Sequence, residues 1–328
     1  MRRPRRRWCF CGARECGPVT DQRCGVVAVL GAPNAGKSTF VNHMVGAKVS
    51  IVTHKVQTTR ARIRGVAMHD ETQVVYVDTP GIFNPKRGLD KAMVTAAWDA
   101  VEGSDVLLLL VDAPAYLSTM NEDASGAAMK AAEDTDRIIE GLKQGGRRAV
   151  LVLNKIDRMP RPPLLHLAES LNGEGVFDET FMISAKKGLG TEGLRDFLVG
   201  KMPEGSYLYP EDQLSDINDR MMAAEVTREK LFLRLHEEIP YSLTVETDQW
   251  DRTGKGELRI EQTIYVERDS QKKLVLGHKG RSIAAVGKAA REELQELLGE
   301  TVHLFLYVKV REKWADERER LRNMGLDV

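Results

Sequence analysis

The octapeptide Gly31-Ala32-Pro33-Asn34-Ala35-Gly36-Lys37-Ser38 constrains this chain more than any other feature. It matches G-x4-G-K-[ST], follows the aliphatic run 26–30 directly, and opens a predicted helix near Ser38. Such a loop works only between a strand and a helix. Its glycines let backbone N–H groups turn toward a phosphate, and the helix N-terminus adds partial positive charge. Lys37 can then reach the β- and γ-phosphates, Ser38 can ligate magnesium, and Thr39 completes the phosphate-binding segment. The motif therefore asks for an α/β fold carrying a nucleotide at a strand's carboxyl end.

The rest of the first half supplies that fold. Aliphatic runs at 73–77, 106–111, 149–153 and 180–183 alternate with longer mixed segments. Several are continuous Val/Leu/Ile stretches without polar alternation, as parallel strands covered on both faces require. The segments between them read as helices and complete the βα rhythm of a doubly wound sheet. None of the runs approaches the length of a bilayer span.

Three short motifs follow these strands. Asp78-Thr79-Pro80-Gly81 comes after 73–77: its carboxylate can hold magnesium through water, and Gly81 offers a backbone N–H to a γ-phosphate. Asn154-Lys155-Ile156-Asp157 comes after 149–153. A carboxylate at Asp157 can accept from the N1–H and the 2-amino group of guanine, two donors that adenine lacks. Ser184-Ala185-Lys186, after 180–183, supplies a backbone N–H for guanine O6. Singly, each reads equally well as a turn or surface loop. In this order, each at a strand end, they specify GTP. The residue after Gly81 is Ile82, where many GTPases place a Gln that orients the attacking water. Ile82 has no hydrogen-bonding group, so hydrolysis must be slow or water must be positioned another way.

At 328 residues the chain is too long for one comfortable core, and a second domain is expected. The stretch 203–210, with a Pro at each end, breaks the βα rhythm and reads as a linker. Beyond it lie a helix at 219–237, with Met222, Val226, Leu231, Leu233 and Leu235 as core candidates, and strands at 241–246 and 257–266. A short helix near 273–276, the tetrapeptide Gly277-His278-Lys279-Gly280, a helix at 282–298 and a strand at 302–310 complete an αββααβ order. A GXXG loop brings backbone close to nucleic-acid phosphates without a side-chain clash. By itself it is equally a helix–helix turn.

Charge decides between these readings. The formal net charge is zero, with 48 Lys+Arg against 48 Asp+Glu, which taken alone disfavours a nucleic-acid binder. The total conceals unlike parts. Residues 1–25 carry +5, whereas 206–328 count 20 basic to 24 acidic residues. Within that acidic stretch, 268–291 holds seven basic residues (Arg268, Lys272, Lys273, Lys279, Arg281, Lys288, Arg291) and only Asp269. A local +6 around the GXXG loop supports KH-type RNA binding, with Lys272, Lys273, Gly277, His278, Lys279, Gly280, Arg281 and Lys288 as the contact set. Ile283, Val286 and 263–266 are candidates for the base-reading groove wall, or equally for core.

The head of the chain is read separately. All four cysteines (Cys9, Cys11, Cys16, Cys24) lie there, and the remaining 304 residues have none, so a disulfide framework is excluded and a reducing compartment expected. Their spacing lacks the paired C-x2-C of compact zinc sites, and the Arg-rich start lacks the Ser-rich pattern of a transit peptide. A disordered basic extension is the preferred reading. Residues 113–132 read as a surface loop with partial helix, and His166, His236 and His303 as surface or structural residues.

These motifs together resemble the Ras-like GTPases and, more narrowly, the Era family of bacterial ribosome-assembly GTPases. The narrower resemblance rests on residues 31–38, on Gln57-Thr58-Thr59-Arg60, and on 224–230, 238–242 and 308–314 of the second half. It covers everything but the Arg/Cys head. It implies that 53–60 is switch I, with Thr59 as the magnesium- and γ-phosphate-sensing threonine and Thr58 the alternative. It also implies that Asn34 helps hold a potassium ion, and that a hydrophobic residue at Ile82 is usual. Lys37, Thr59, Gly81 and Asn34 form the candidate catalytic set, and Ser38, Thr59 and Asp78 the metal set.

The expected architecture is an extension over 1–21, a Ras-like P-loop GTPase domain with a mostly parallel sheet over 22–203, a linker over 204–218, and a type II KH domain over 219–328. The implied function is a GTP-hydrolysing switch with GTP and Mg2+ as cofactors, binding the 3′ end of 16S ribosomal RNA in 30S subunit assembly. The expected protein is a cytoplasmic monomer that binds no DNA, with peripheral contact to the inner membrane left open. The alternative is a constitutive RNA-binding or scaffolding protein whose nucleotide site is only structural. Trp314 is read as packing rather than as an RNA contact.

Overall fold

The computed structural model describes residues 22–326 apart from 56, 86, 121–123 and 236–238. The basic extension, the zinc and transit readings of the first three cysteines, and His236 lie outside the described residues. Cys24 does not belong with that head. It sits buried in the first strand, its thiol directed at Gln73 Oε1 at 3.5 Å, and burial pushes its pKa up. It is a small core residue rather than a metal ligand.

Chain order in the first half is β1 (Arg23–Leu30), α1 (Lys37–Val45), β2 (Ile63–His69), β3 (Thr72–Asp78), α2 (Gly88–Glu102), β4 (Val106–Asp112), α3 (Ala113–Met120), α4 (Gly126–Gln144), β5 (Ala149–Asn154), α5 (Arg161–Asn172), β6 (Phe177–Met182) and α6 (Thr191–Lys201). The six strands form one sheet in the order β2-β3-β1-β4-β5-β6. Five of them are parallel, and β2 is antiparallel to β3. The central strands are buried on both faces, which is why they read as unbroken aliphatic runs. Ala28, Leu30, Leu109 and Leu151 face α2, α4 and α5. Val27, Val29, Leu108 and Val150 face α1 and α6. Because the parallel strands point one way, the loops after β1, β3, β5 and β6 gather at one edge.

Two differences from the sequence reading have local causes. Strand β2 was not anticipated: it is an antiparallel edge strand interrupted by Arg64 and Gly65, so it lacks the aliphatic signature of its neighbours. Residues 113–132 are mostly helix rather than loop. α3 starts directly at the end of β4, and α4 is capped by Ser125, whose Oγ accepts from Ala128 N at 3.2 Å. A serine cap of this kind stabilises a helix by about 1 kcal/mol.

The second half runs α7 (Asp219–Arg234), β7 (Leu243–Arg252), β8 (Leu258–Val266), α8 (Asp269–Leu276), α9 (Arg281–Leu298), β9 (Val302–Val310) and α10 (Arg318–Asn323). Its sheet has the order β7-β8-β9, antiparallel and then parallel, which is the anticipated αββααβ arrangement. Leu231 and Leu235 pack with Leu243, Ile264 and Val286, and Val226 with Ile260, Ala290 and Leu294. Leu233 is a correction to the expected core: it is 46% exposed, because the helix turns it away from the sheet. Trp314 is fully buried against Phe83, Leu89 and Met93, and its Nε1 donates to Ser242 O at 3.0 Å.

The segment joining the halves is pinned rather than loose. Glu204 bridges to Arg23, and Ser215 to Gly65. The fully buried Gln73 accepts from Leu208 N and Tyr209 N at 2.9 and 3.0 Å, and its Nε2 donates to Tyr209 O at 2.8 Å. Gln73→Leu keeps the volume but strips three backbone groups of their partner. It is expected to lower the unfolding free energy by about 1–2 kcal/mol and to speed proteolytic cleavage between 204 and 215. Chemical denaturation and timed digestion against the parent chain measure both, and unchanged values would contradict this role.

Candidate functional site

The phosphate loop is built where backbone must pass through positive φ. Gly31 has φ 155°, Gly36 φ 99° and Asn34 φ 65°. A Cβ on Gly31 would lie 2.5 Å from Leu110 O, and one on Gly36 2.4 Å from Asn154 Nδ2. Only glycine fits the two positions. Lys37 is buried, and its Nζ donates to Gly31 O at 2.9 Å and Ala32 O at 3.0 Å. Burial lowers its pKa to about 8 against the pull of the Asp78 charge.

Thr59, Ser38 and Asp78 meet beside this loop. The Ser38 and Thr59 hydroxyls are 2.8 Å apart, and Thr59 Oγ1 donates to Asp78 Oδ2 at 3.2 Å. Thr58, the alternative, points elsewhere: its hydroxyl lies 2.7 Å from that of Thr53 and donates to Lys55 O at 2.8 Å. Asp78 is fully buried, and burial pushes its carboxyl above the usual range. Its Oδ1 has no hydrogen-bond partner among the described residues. A buried, half-satisfied carboxylate flanked by two hydroxyls is an all-oxygen donor set suited to a hard divalent cation such as magnesium. Among the described residues no cluster of three or more His, Cys, Asp or Glu could hold a metal.

At the opposite side of the loop, Asn154 joins three loops rather than facing solvent. Its Nδ2 donates to Ala35 O at 2.8 Å, and its Oδ1 accepts from Lys155 N at 2.8 Å and Ala185 N at 3.0 Å. Asp157 accepts from Ser184 Oγ at 2.7 Å and pairs with Lys187 Nζ at 3.5 Å. The serine bond, then the bond from its own backbone N–H and the lysine's charge, hold its carboxyl below the usual range. The Lys187 pairing was not anticipated; Lys186, named as part of the 184–186 turn, is exposed, as is Lys187.

A cavity of about 480 Å³ opens between these groups. Pro33, Asn34, Gly36, Lys37, Ser38 and Thr39 of the phosphate loop line it together with 51–54, 57–59, Gly81, Lys155 and, from α7, Leu233. Asp157 and Ser184 are not part of its wall. Ala32, Ala35 and Pro80 are buried, and Thr79 donates to Val29 O at 2.7 Å, so these four shape the loops. Ile82 is buried in the core beneath, away from the cavity. Five lining residues were missed as site residues: Ile51, Val52, Asp112, Arg158 and Leu233. Asp112 pairs with Lys155, whose Nζ also donates to Asn34 O at 2.7 Å. Its place at the carboxyl end of β4 was the available signal, the same one that marked Asp78.

In the second half, the GXXG loop joins α8 to α9 as a tight reversal. Gly277 has φ 71°, and a Cβ there would meet Ser282 Cβ at 2.6 Å. Lys279 is left-handed at φ 52°, and Gly280 caps α9 at φ 75°. Lys273, His278, Lys279, Arg281 and Lys288 are exposed around it, and Lys272 is half-exposed. Val286 and the strand 263–266 are not groove wall on the open side: Val286, Thr263, Ile264 and Val266 are core. Ile283 remains partly exposed beside Leu274, which is 55% exposed.

Comparison with known proteins agrees with this geometry. Residues 26–155 match the family model described as 50S ribosome-binding GTPase, and 238–315 the KH domain model. GTPase Era of Brucella suis biovar 1 (strain 1330) is 54% identical over 309 residues, covering 94% of this chain and 95% of the relative. GTPase Era of Caulobacter vibrioides (strain NA1000 / CB15N) is 52% identical over 94% of this chain and 98% of its own length. A crystal structure of Era with MgGDPNP and nucleotides 1506–1542 of 16S ribosomal RNA superposes at TM-score 0.84, with 34% identity, 94% of this chain and all of that one covered. A variant of Aquifex aeolicus Era bound to GDP·AlF4− superposes at 0.82 with 34% identity and the same coverage. This chain, with its P-loop GTPase sheet and KH unit, belongs to the Era family of GTPases.

Proposed function

We propose that this GTPase is a nucleotide-driven switch that binds the 3′ region of 16S ribosomal RNA through its KH unit and acts in 30S subunit assembly. The carrying observation is the convergence of Ser38 from α1, Asp78 from the end of β3 and Thr59 from a segment whose flanks touch the second half. The Era complex with MgGDPNP and 16S nucleotides supports the same pairing of ligands. The large subunit in the matched model's description concerns 26–155 only, which carries nucleotide chemistry and not the basic GXXG surface.

On this reading Lys37 meets the β- and γ-phosphates. Ser38, Asp78 and Thr59 would hold magnesium, which supplies charge neutralisation between those phosphates. Gly81 N–H faces the γ-phosphate, Asp157 selects guanine, and the 184–186 turn meets O6. Asn34, whose Nδ2 donates to His54 O at 3.1 Å, keeps an amide oxygen suited to a potassium ion. Lys272, Lys273, Lys279, Arg281 and Lys288 attract the RNA backbone around Gly277, His278 and Gly280. The functional units are 22–203 and 219–328, joined by 204–218. No helix among the described residues is long and apolar enough to cross a membrane. The rival reading, a constitutive RNA binder with a structural nucleotide site, is disfavoured by a buried Lys37 and Asp78 placed for chemistry.

RNA affinity should differ between GTP analogue, GDP and no nucleotide when measured by fluorescence anisotropy with a single-stranded 3′-end fragment. Equal affinities in the three states would leave the constitutive binder standing. Asp157→Asn should transfer preference from guanosine to xanthosine nucleotides, read as the ratio of the two dissociation constants; strict retention of GTP would contradict base reading by Asp157. Replacing Lys279 and Arg281 together by Ala should weaken RNA binding and reduce the slope of log affinity against log salt by roughly 1–2 units. GTP affinity should stay unchanged.

A further inference from the structure

We propose that Arg228, on α7 of the second half, is a positioning residue for GTP hydrolysis: it holds the Thr58 carbonyl and so sets the Thr59 hydroxyl against Ser38 and Asp78. The inference rests on the metal-sensing role of Thr59 given above and adds the residue that makes it possible.

The described residues of 48–60 form no helix or strand, so the segment's shape depends on what grips it. On its own side, Asn42 Oδ1 accepts from Val49 N and Ser50 N, both at 2.9 Å, which fixes only the start. Further along, Asn34 Nδ2 donates to His54 O at 3.1 Å and Gln57 Nε2 donates to Asp90 Oδ1 at 3.4 Å, both within the first half, and the second half adds contacts of its own. Val52 N donates to Glu229 Oε1 at 2.8 Å, and Lys55 Nζ bonds to Leu235 O. Arg60 NH1 donates to Leu243 O at 2.8 Å. Between these two lies Thr58 O, which accepts from Arg228 NH2.

That carbonyl matters because the 58–59 peptide is planar. Fixing Thr58 O fixes the plane from which the Thr59 Cα projects, and with it where the hydroxyl can reach. Arg228 is built to hold a plane. Its side chain is 1% exposed, its Nε donates to Glu225 Oε1 at 2.8 Å while NH2 bonds Glu225 Oε2, and its guanidinium lies over the Phe232 ring at 5.1 Å. A forked guanidinium locked by a bidentate carboxylate has almost no freedom left.

Packing alone would not call for an arginine here. A buried ion pair is often matched or bettered in stability by apolar side chains of similar volume. Among the described residues Arg228 NH1 is moreover buried without a hydrogen-bond partner, so the position carries a cost that an apolar residue would avoid. The contact that repays that cost is the one to Thr58.

The test is a double-mutant cycle on the full chain with Thr59→Ala, Arg228→Met and the pair, reading kcat, KM for GTP, GDP affinity and melting temperature. Arg228→Met is expected to lower kcat about tenfold or more while KM and GDP affinity move less than about threefold. On the Thr59→Ala background it should change kcat by less than about twofold, because the group it positions is gone. Arg228→Lys, which keeps charge and one donor, should recover part of the loss. It also carries the cycle should the Met variant fail to bind GDP. Additive losses, or an unchanged kcat in folded Arg228 variants, overturn the positioning role while leaving Thr59 in place. An unchanged kcat in Thr59→Ala overturns the Thr59 reading itself and this inference with it.

Discussion

A carboxylate buried with one oxygen unpaired is the constraint around which the nucleotide site is organised. Asp78 ends β3 fully buried, and a lone charge in that position would be untenable without positive or donor groups close by. Lys37 answers with charge and Thr59 with a hydroxyl, from opposite sides. Each answer demands its own support. Lys37 reaches inward only because Gly31 and Gly36 let the loop fold at positive φ. Thr59 reaches inward only because an irregular segment is held from outside. The parallel sheet delivers the first condition and the second half delivers the other.

That division explains an otherwise awkward feature of the junction. Arg60 and Arg228 are both buried there, and each raises the cost of the other's charge. Burial, followed by the Arg228 charge, lowers the Arg60 pKa to about 9. Glu225 and the face of Trp314, with Arg60 lying 5.6 Å from the ring, offset that cost. Two buried guanidiniums donating to backbone carbonyls do what apolar packing cannot. Arg228 orients the main chain before Thr59 and Arg60 ties the residue after it to Leu243 O, while the surrounding surface of Phe83, Leu89 and Trp314 supplies the adhesion.

What the sequence made legible follows from how local each signal is. The P-loop, Asp78, Asp157 and the GXXG turn are encoded in consecutive residues flanked by periodic segments, so they could be placed without coordinates. The same holds for β9, whose bounds were read directly, and for Thr59, which a short family-like tetrapeptide marked out. Strand β2 was missed because an edge strand needs no continuous aliphatic run. Leu233 was misassigned because in α7 one residue of helical phase separates core from surface. Cys24 was grouped with its sequence neighbours when its side chain belongs to Gln73. The contact of Arg228 with Thr58 spans 170 positions, and no periodicity or local motif could carry it. The stretch 224–230 stood out as family-like, but only the fold says which of its residues faces the switch.

The junction also sets how nucleotide and RNA can influence one another. Lys48, at the start of the irregular segment that leads into 53–60, pairs with Glu229 on α7 and with Glu293 on α9. α9 has 18 residues and begins at the GXXG loop, so about 27 Å of rigid helix has its phosphate-facing end at one terminus and its tie to the switch segment near the other. A displacement at Lys48 therefore moves the proposed RNA surface as a body rather than dissipating in a loop. The partly exposed lysine pairs contribute about 1 kcal/mol or less each and weaken with salt. The buried, charge-assisted bond from Arg228 to Thr58 is of the kind that contributes about 1.5–3 kcal/mol. Coupling through that bond is accordingly limited to roughly 10- to 150-fold in affinity. Linkage makes it reciprocal: whatever factor GTP imposes on RNA binding, RNA must impose on GTP binding. A switch of this construction needs no contact between its two ligands, because Thr58 lies beside Thr59 on one side and against Arg228 on the other.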